Sequence, residues 1–365
     1  MTTIDQTVLD NIRYQPTVLP QVLEHRAVFV DPFSALVRDQ DIKKIIFFGS
    51  GTSYNVSHIA AYYFKHLVGM AAEAQYPTVF CNYEKPDWTG SIAPEQVLFV
   101  GISQSGTSVS TCTAMARGQE LGCRTLAITG DLESEITRHV DVAVHLLVGE
   151  ELTPPETKGY TVSVLSVYLW ALAVARDRGV LDEGGLAAAL EETSRVVGSF
   201  QTVIDEGEAW YERNKTSLVH GDRIYVLGYG IDYGSMLEGM LKVGEMLRRP
   251  VIGYELEEYS HGPLMALRDD QSIVMIGSDE AEFQRMLTFR ATFKKYTPRV
   301  HVITCRDIEA DGRDVVFSVK ASKWLAPLLY TVPFQFLAAK GAADIFIDTN
   351  IDPTNEPLAH YASAK

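Results

Sequence analysis

The chain has 365 residues, 46% of them hydrophobic and 22% charged, with a formal net charge of −15. That is ordinary for a globular protein, and long enough for two α/β lobes around a large core. Lys and Arg are scattered rather than clustered, which argues against nucleic acid or an anionic membrane as partner; an anionic ligand must be held by local dipoles and a few chosen cations. The four cysteines, Cys81, Cys112, Cys123 and Cys305, have no metal-binding spacing and read as reduced core residues. Asp5, Asp10 and Asn11 interrupt any apolar run at the start, and no apolar segment is expected to reach transmembrane length. The location expected from this is cytoplasmic.

In chain order, helical pieces around Val18 to Leu36 lead into the first lobe. Ile45-Ile46-Phe47-Phe48 reads as a buried strand, followed by Gly49-Ser50-Gly51-Thr52-Ser53 and a helix through Ala60 and Leu67. Tyr76 to Cys81 is assigned as a further strand. Residues 97–108, Val-Leu-Phe-Val-Gly-Ile-Ser-Gln-Ser-Gly-Thr-Ser, are the stretch around which the lobe is organised. An apolar strand there runs into a turn crowded with the hydroxyls of Ser103, Ser105, Thr107 and Ser108, and a helix follows. The first-turn N–H groups of a helix lack intrahelical partners and its dipole favours a negative charge, so this turn suits a phosphate. No Lys follows the glycine and no G-x-G-x-x-G spacing occurs, which fits a phosphate monoester better than a nucleotide. The alternative is a Ser-rich loop whose hydroxyls only cap the helix.

Strands at Thr125–Thr129 and Val142–Leu147, a long helix from about Thr161 to Asp177 and a helical connector over 180–218 complete this half. Strands alternating with helices imply parallel sheets covered on both faces. The pattern then repeats. Ile224 to Gly234 echoes Ile45 to Asn55, Ser272 to Ser278 echoes Val97 to Ser103, and Val300 to Thr304 echoes Thr125 to Thr129. Asp279, Glu280 and Glu282 follow Ser278, so only the first lobe keeps a phosphate cradle. Glu238, Lys242 and Glu245 fall at i, i+4 and i+7 on one helix face, either as an exposed salt-bridge ladder or as acid–base machinery. His261 lies in Ser-His-Gly-Pro, a turn that presents its imidazole as a candidate proton donor.

Taken together, Gly-Ser-Gly-Thr-Ser (49–53), Ile-Ser-Gln-Ser-Gly-Thr (102–107), Glu-Gly-Met-Leu-Lys-Val-Gly-Glu (238–245), Ser-His-Gly-Pro-Leu (260–264) and Pro-Phe-Gln-Phe-Leu (333–337) resemble the double sugar-isomerase (SIS) family. The pattern is similar to the isomerase half of glucosamine-6-phosphate synthase and to stand-alone deglycases of fructosamine and glucosamine phosphates. The resemblance implies an α/β fold of two tandem SIS domains, each a flavodoxin-like three-layer unit with a parallel sheet flanked by helices. The expected division is a helical lead (1–40), a first SIS domain with the cradle (41–195), a second with the catalytic Glu and His (205–345), and a tail over the active site (346–365). No counterpart of the synthase's glutamine-hydrolysing domain stands in this sequence, so the chain is read as a stand-alone relative.

Carried over by position, the resemblance assigns phosphate binding to Ser103, Gln104, Ser105 and Ser108. It assigns the sugar pocket to Gly51, Thr52 and Ser53. The family's Val-Ala-Ser-Thr-Lys loop appears as Pro154-Pro155-Glu156-Thr157-Lys158, with Glu156 in place of a sugar-contacting Ser. That exchange suggests a cationic group, such as an amine, beside the hexose. Glu245 takes the position of the base that moves a proton between C1 and C2, and Lys242 that of the Lys near the substrate carbonyl. His261 takes the position of a His that reaches the neighbouring subunit's active site, which implies a homodimer with shared sites. The tail Lys that forms a Schiff base in the synthase is replaced by His360, which cannot form one; an acid or base aiding ring opening, or a mere packing segment, are the two readings of it. No metal or other cofactor is implied. The expected activity is that of a sugar-phosphate deglycase or deaminase acting on a 6-phosphorylated amino sugar, giving hexose 6-phosphate and an amine. An aldose–ketose isomerase without C–N cleavage, or a non-catalytic sugar-phosphate-binding protein, are the alternatives.

Overall fold

The computed structural model describes residues 6–351 and 353. Helices α1 (Val8–Glu24) and α2 (Ala27–Asp39) come first. The first lobe then runs β1 (Lys44–Phe48), α3 (Thr52–His66), β2 (Ala71–Gln75), α4 (Pro77–Tyr83), β3 (Val97–Ile102), α5 (Val109–Glu120), β4 (Arg124–Thr129) and β5 (Val142–His145). Helices α6 (Lys158–Asp177), α7 (Glu183–Gly198) and α8 (Phe200–Val219) follow. The second lobe runs β6 (Ile224–Gly228), α9 (Asp232–Leu247), β7 (Val251–Glu255), β8 (Ser272–Ile276), α10 (Phe283–Phe293), β9 (Val300–Thr304) and β10 (Val315–Val316), closed by α11 (Ala326–Tyr330) and α12 (Val332–Asp344).

Each lobe carries a five-stranded, wholly parallel sheet. The orders are β2-β1-β3-β4-β5 and β7-β6-β8-β9-β10, the same winding twice. Every residue of β3, β6, β8 and β9 is buried, as central parallel strands covered on both faces must be. Phe80 packs edge-on against Phe48 and Phe99 in the first core; Phe293 packs edge-on against Tyr259, which lies tilted against Tyr225, in the second.

The chain groups into two compact units. One contains Thr17–Glu150 and Gly159–Ser194; the other contains residues up to Pro16, Glu151–Lys158 and Arg195–Ile351. The short run Glu151–Lys158 therefore belongs with the second sheet, although it follows the first in sequence.

Three expectations need correction. Tyr76 to Cys81 is not a strand: Pro77 opens α4, its fixed φ suiting the first helical turn, and the strand is Ala71–Gln75 at the half-exposed sheet edge. An apolar segment of transmembrane length does exist, since α6 passes by length and composition, but its whole apolar window is buried inside the fold as a core helix. The repeat is also offset by one residue. Ile102 pairs with Ile128 and Ile276 with Ile303, and the next N–H donates back to that Ile carbonyl, from Ser103 and Gly277 respectively, each at 3.1 Å. Ser278 thus stands at the place of Gln104, and Gly277 at that of Ser103.

Candidate active site

The turn after β3 is built by its own backbone. Ser103 N–H donates to the Ile128 carbonyl, Gly106 N–H to the Ser103 carbonyl (3.1 Å), and Gly130 N–H to the Gln104 carbonyl (2.9 Å). Gly106 has φ +65°, and a Cβ there would collide with the Ser134 side chain, so only glycine fits. Ser103 is buried and Gln104 half-buried, whereas Ser105 and Thr107 are exposed with their hydroxyls 3.0 Å apart. Ser108 occupies the N-cap position of α5 but makes no side-chain cap; its hydroxyl instead accepts from Thr111 Oγ1 at 3.1 Å. Ser108 therefore does not cap α5 with its side chain. Thr52 and Ser53 lie in the first turn of α3 and are buried, while Gly51 before them is exposed at φ +57°.

The corresponding turn of the second lobe is filled from within. Ser278 donates its N–H (2.7 Å) and its hydroxyl (3.0 Å) to the carboxylate of Asp232, the first residue of α9. Burial pushes the Asp232 carboxyl up to about 7 despite those two bonds. Glu280 adds further negative charge beside Asp232 and is itself paired with Lys323 at 3.1 Å.

Helix α9 presents the Glu–Lys–Glu face, and that face is not an exposed ladder. Glu238 and Lys242 have side chains 0% and 2% exposed, with Lys242 Nζ 3.8 Å from Glu238; the Glu245 side chain is 34% exposed and accepts a short hydrogen bond from Lys242. Burial disfavours the Lys242 ammonium, but Glu238, Glu245 and Glu156 together outweigh it and raise its pKa. The Lys stays charged. Glu156 is coupled to the same ammonium electrostatically, with no ion pair between the two. Burial pushes its carboxyl up to about 7, Lys242 pulls it down, and Glu151, Glu238 and Glu245 push it up again.

Of the other anticipated residues, Thr157 is buried, and its hydroxyl and N–H are both taken by Glu151 Oε1, at 3.1 and 2.8 Å. His261 is exposed after a short 3-10 turn; no hydrogen bond or ion pair joins its side chain to the α9 cluster. Its loop is anchored by Tyr259, fully buried among Tyr225, Tyr254 and Phe293. His360 lies outside the described residues. Sequence reasoning missed Glu151, which accepts from the Thr157 and Lys158 N–H groups at the start of α6, and Gln335, whose side chain reaches the Thr157 carbonyl at 3.1 Å. The Pro-Phe-Gln-Phe-Leu motif marked Gln335 without giving it a task.

A family model described as the SIS domain matches residues 40–174 and 217–339. The chain belongs to the SIS domain family. The isomerizing glutamine–fructose-6-phosphate aminotransferase of Pseudomonas putida is 27% identical over 344 residues, which cover 91% of this chain and 55% of that relative. The SIS chain described here thus spans about half the length of the curated relatives it matches. Among solved structures, a candidate phosphosugar isomerase from Clostridium difficile matches with a TM-score of 0.87 and 25% identity over 99% of each chain. Glucosamine-6-phosphate deaminase from Thermotoga maritima shares the fold at a TM-score of 0.76 and 21% identity, over 96% of this chain and 98% of that one.

Proposed function

We propose that this SIS protein is a sugar-phosphate deglycase or deaminase acting on a 6-phosphorylated amino sugar of the fructosamine or glucosamine type. The observation that carries the reading is the buried Lys242 ammonium held among Glu238, Glu245 and Glu156. Glu245, bonded to Lys242 and still open to solvent, removes the proton from the carbon next to an open-chain carbonyl. Lys242 stabilises the oxygen of the resulting enolamine. Protonation of the neighbouring carbon gives an imine, and one water hydrolyses it to hexose 6-phosphate and the free amine. His261 supplies the acid for the leaving group. The phosphate is taken by the turn at Ser103, Gln104, Ser105 and Ser108. In support, Ser108 leaves the first-turn N–H groups of α5 uncapped.

Glu156 selects the amine. The carboxylates around Lys242 outnumber its single charge, and a substrate ammonium would offset part of that excess. An ammonium beside Glu156 favours its carboxylate form, so binding must release a proton while the free carboxyl, at about 7, is still protonated. The preference for glucosamine 6-phosphate over glucose 6-phosphate is therefore expected to rise as pH climbs through about 7, until the amine itself deprotonates. Calorimetric titrations of both sugars across that range test this, the phosphate's own ionisation cancelling between them. A preference independent of pH would remove Glu156 from the amine site.

Ser105→Ala is expected to weaken binding of the phosphorylated substrate by about 1.5–3 kcal/mol, the range for a hydrogen bond to a charged group. An unchanged Michaelis constant would count against the cradle. The activity itself is tested by incubating the protein with 6-phosphorylated fructosamines and amino sugars and assaying hexose 6-phosphate and amine. Interconversion of hexose phosphates with no amine released from any of them would leave a plain isomerase.

A further inference from the structure

Two hydrogen-bond relays converge on the backbone on either side of Glu156, and both begin on one face of α1. Asn11 and Gln15, at i and i+4, are 1% and 0% exposed. In the first relay, Asn11 Nδ2 donates to Thr153 Oγ1 (3.0 Å), and Thr153 Oγ1 donates to the Pro155 carbonyl (3.3 Å). In the second, Gln15 Nε2 donates to Gln335 Oε1 (2.8 Å), and Gln335 Nε2 donates to the Thr157 carbonyl (3.1 Å). The carbonyls thus fixed belong to the residues immediately before and after Glu156. Thr153, Thr157 and Gln335 are themselves buried. From the far side, Glu151 Oε1 takes the N–H groups of Thr157 and Lys158 at 2.8 and 3.0 Å.

A loop of this kind has no ladder to hold it, and its prolines at 154 and 155 supply no N–H donors. Buried amides that reach across 142, 178 and 320 residues of sequence would be costly to keep if packing alone were needed, because a buried polar atom left unpaired is penalised, and Asn11 Oδ1 is such an atom. We infer that Asn11, Gln15 and Gln335 are positioning residues that set Glu156 against Lys242, and so set the enzyme's preference for an amino sugar. This rests on the reading that Glu156 receives the substrate amine.

The test uses Thr153→Val, which keeps shape and cuts the first relay, and Gln335→Met, which cuts the second. Glu156→Gln serves as reference. The ratio of affinities for glucosamine 6-phosphate and glucose 6-phosphate is expected to fall by about tenfold in either relay variant, the scale of a loss through misplacement, while affinity for glucose 6-phosphate holds. Hydrogen exchange at the Thr157 and Lys158 amides should quicken in the same variants, with the sheet amides unchanged. A purely structural role would move both sugars together or neither. Native preference in the relay variants, with preference lost in Glu156→Gln, overturns the positioning inference and leaves the proposed function standing. Preference retained by Glu156→Gln overturns the amine site and the inference with it. If neither sugar phosphate binds, native exchange rates at Thr157 and Lys158 still overturn the inference, and quickened rates uphold the clamp.

Discussion

Glu245→Gln is expected to lower turnover by about 10²–10⁴-fold with the fold intact, the share of rate that a positioned general base supplies. The side chain sits near the C-terminal end of α9, is 34% exposed, and carries no core packing that an amide could not replace. Gln still accepts the Lys242 hydrogen bond through its oxygen, so Lys242 keeps one of its partners and stability should barely move. What is lost is the capacity to take a proton from carbon. Two measurements read this directly. Solvent deuterium should enter C1 or C2 of the product with the native protein and should stop entering with the variant. The Michaelis constant should stay close to native, since Glu245 is not among the residues proposed to hold the phosphate. Normal turnover by Glu245→Gln would remove Glu245 from the chemistry.

The features legible in the sequence are those whose physics is local. Central parallel strands are buried on both faces, so β1, β3, β6, β8 and β9 appear as continuous apolar runs, each followed by a Gly- or hydroxyl-rich turn. Strand β2 escaped because an edge strand of Ala71-Ala72-Glu73-Ala74-Gln75 is half-exposed and has neither alternation nor bulk. Spacing placed Glu238, Lys242 and Glu245 on one face; it could not reveal that the face is buried, which depends on what packs over α9. The one-residue offset of Ser278 had the same origin. A matched apolar run fixes a strand to within a residue, whereas the pairing of Ile276 with Ile303 fixes it outright. The clamp on the Glu156 loop was beyond reach, because Asn11, Gln15 and Gln335 meet it over sequence separations that no periodicity records.

Lys242→Met is expected to destabilise the protein by about 3–5 kcal/mol near neutral pH, the cost of leaving a buried charge without its partner. Met matches the apolar stem of Lys, so the change removes the ammonium and little volume. Glu238, fully buried, then loses the ammonium that stands 3.8 Å from it. Glu156 loses the pull that now opposes its raised carboxyl. Both must ionise at a dielectric cost or take up protons, and the sign of the pH dependence follows. In the variant, burial holds the Glu156 carboxyl above its unfolded value, so the folded state binds more protons than the unfolded one, and stability falls as pH rises. The deficit against native protein should therefore be smaller at about pH 5 and larger at about pH 8, when measured by urea denaturation. Adding Glu238→Gln to Lys242→Met removes the stranded charge and should recover most of the loss, because a buried pair is dispensable as a whole but not by halves. A deficit below about 1 kcal/mol at both pH values would match an exposed surface pair. In that case the α9 cluster would not be the buried ion-paired site on which the proposed chemistry depends.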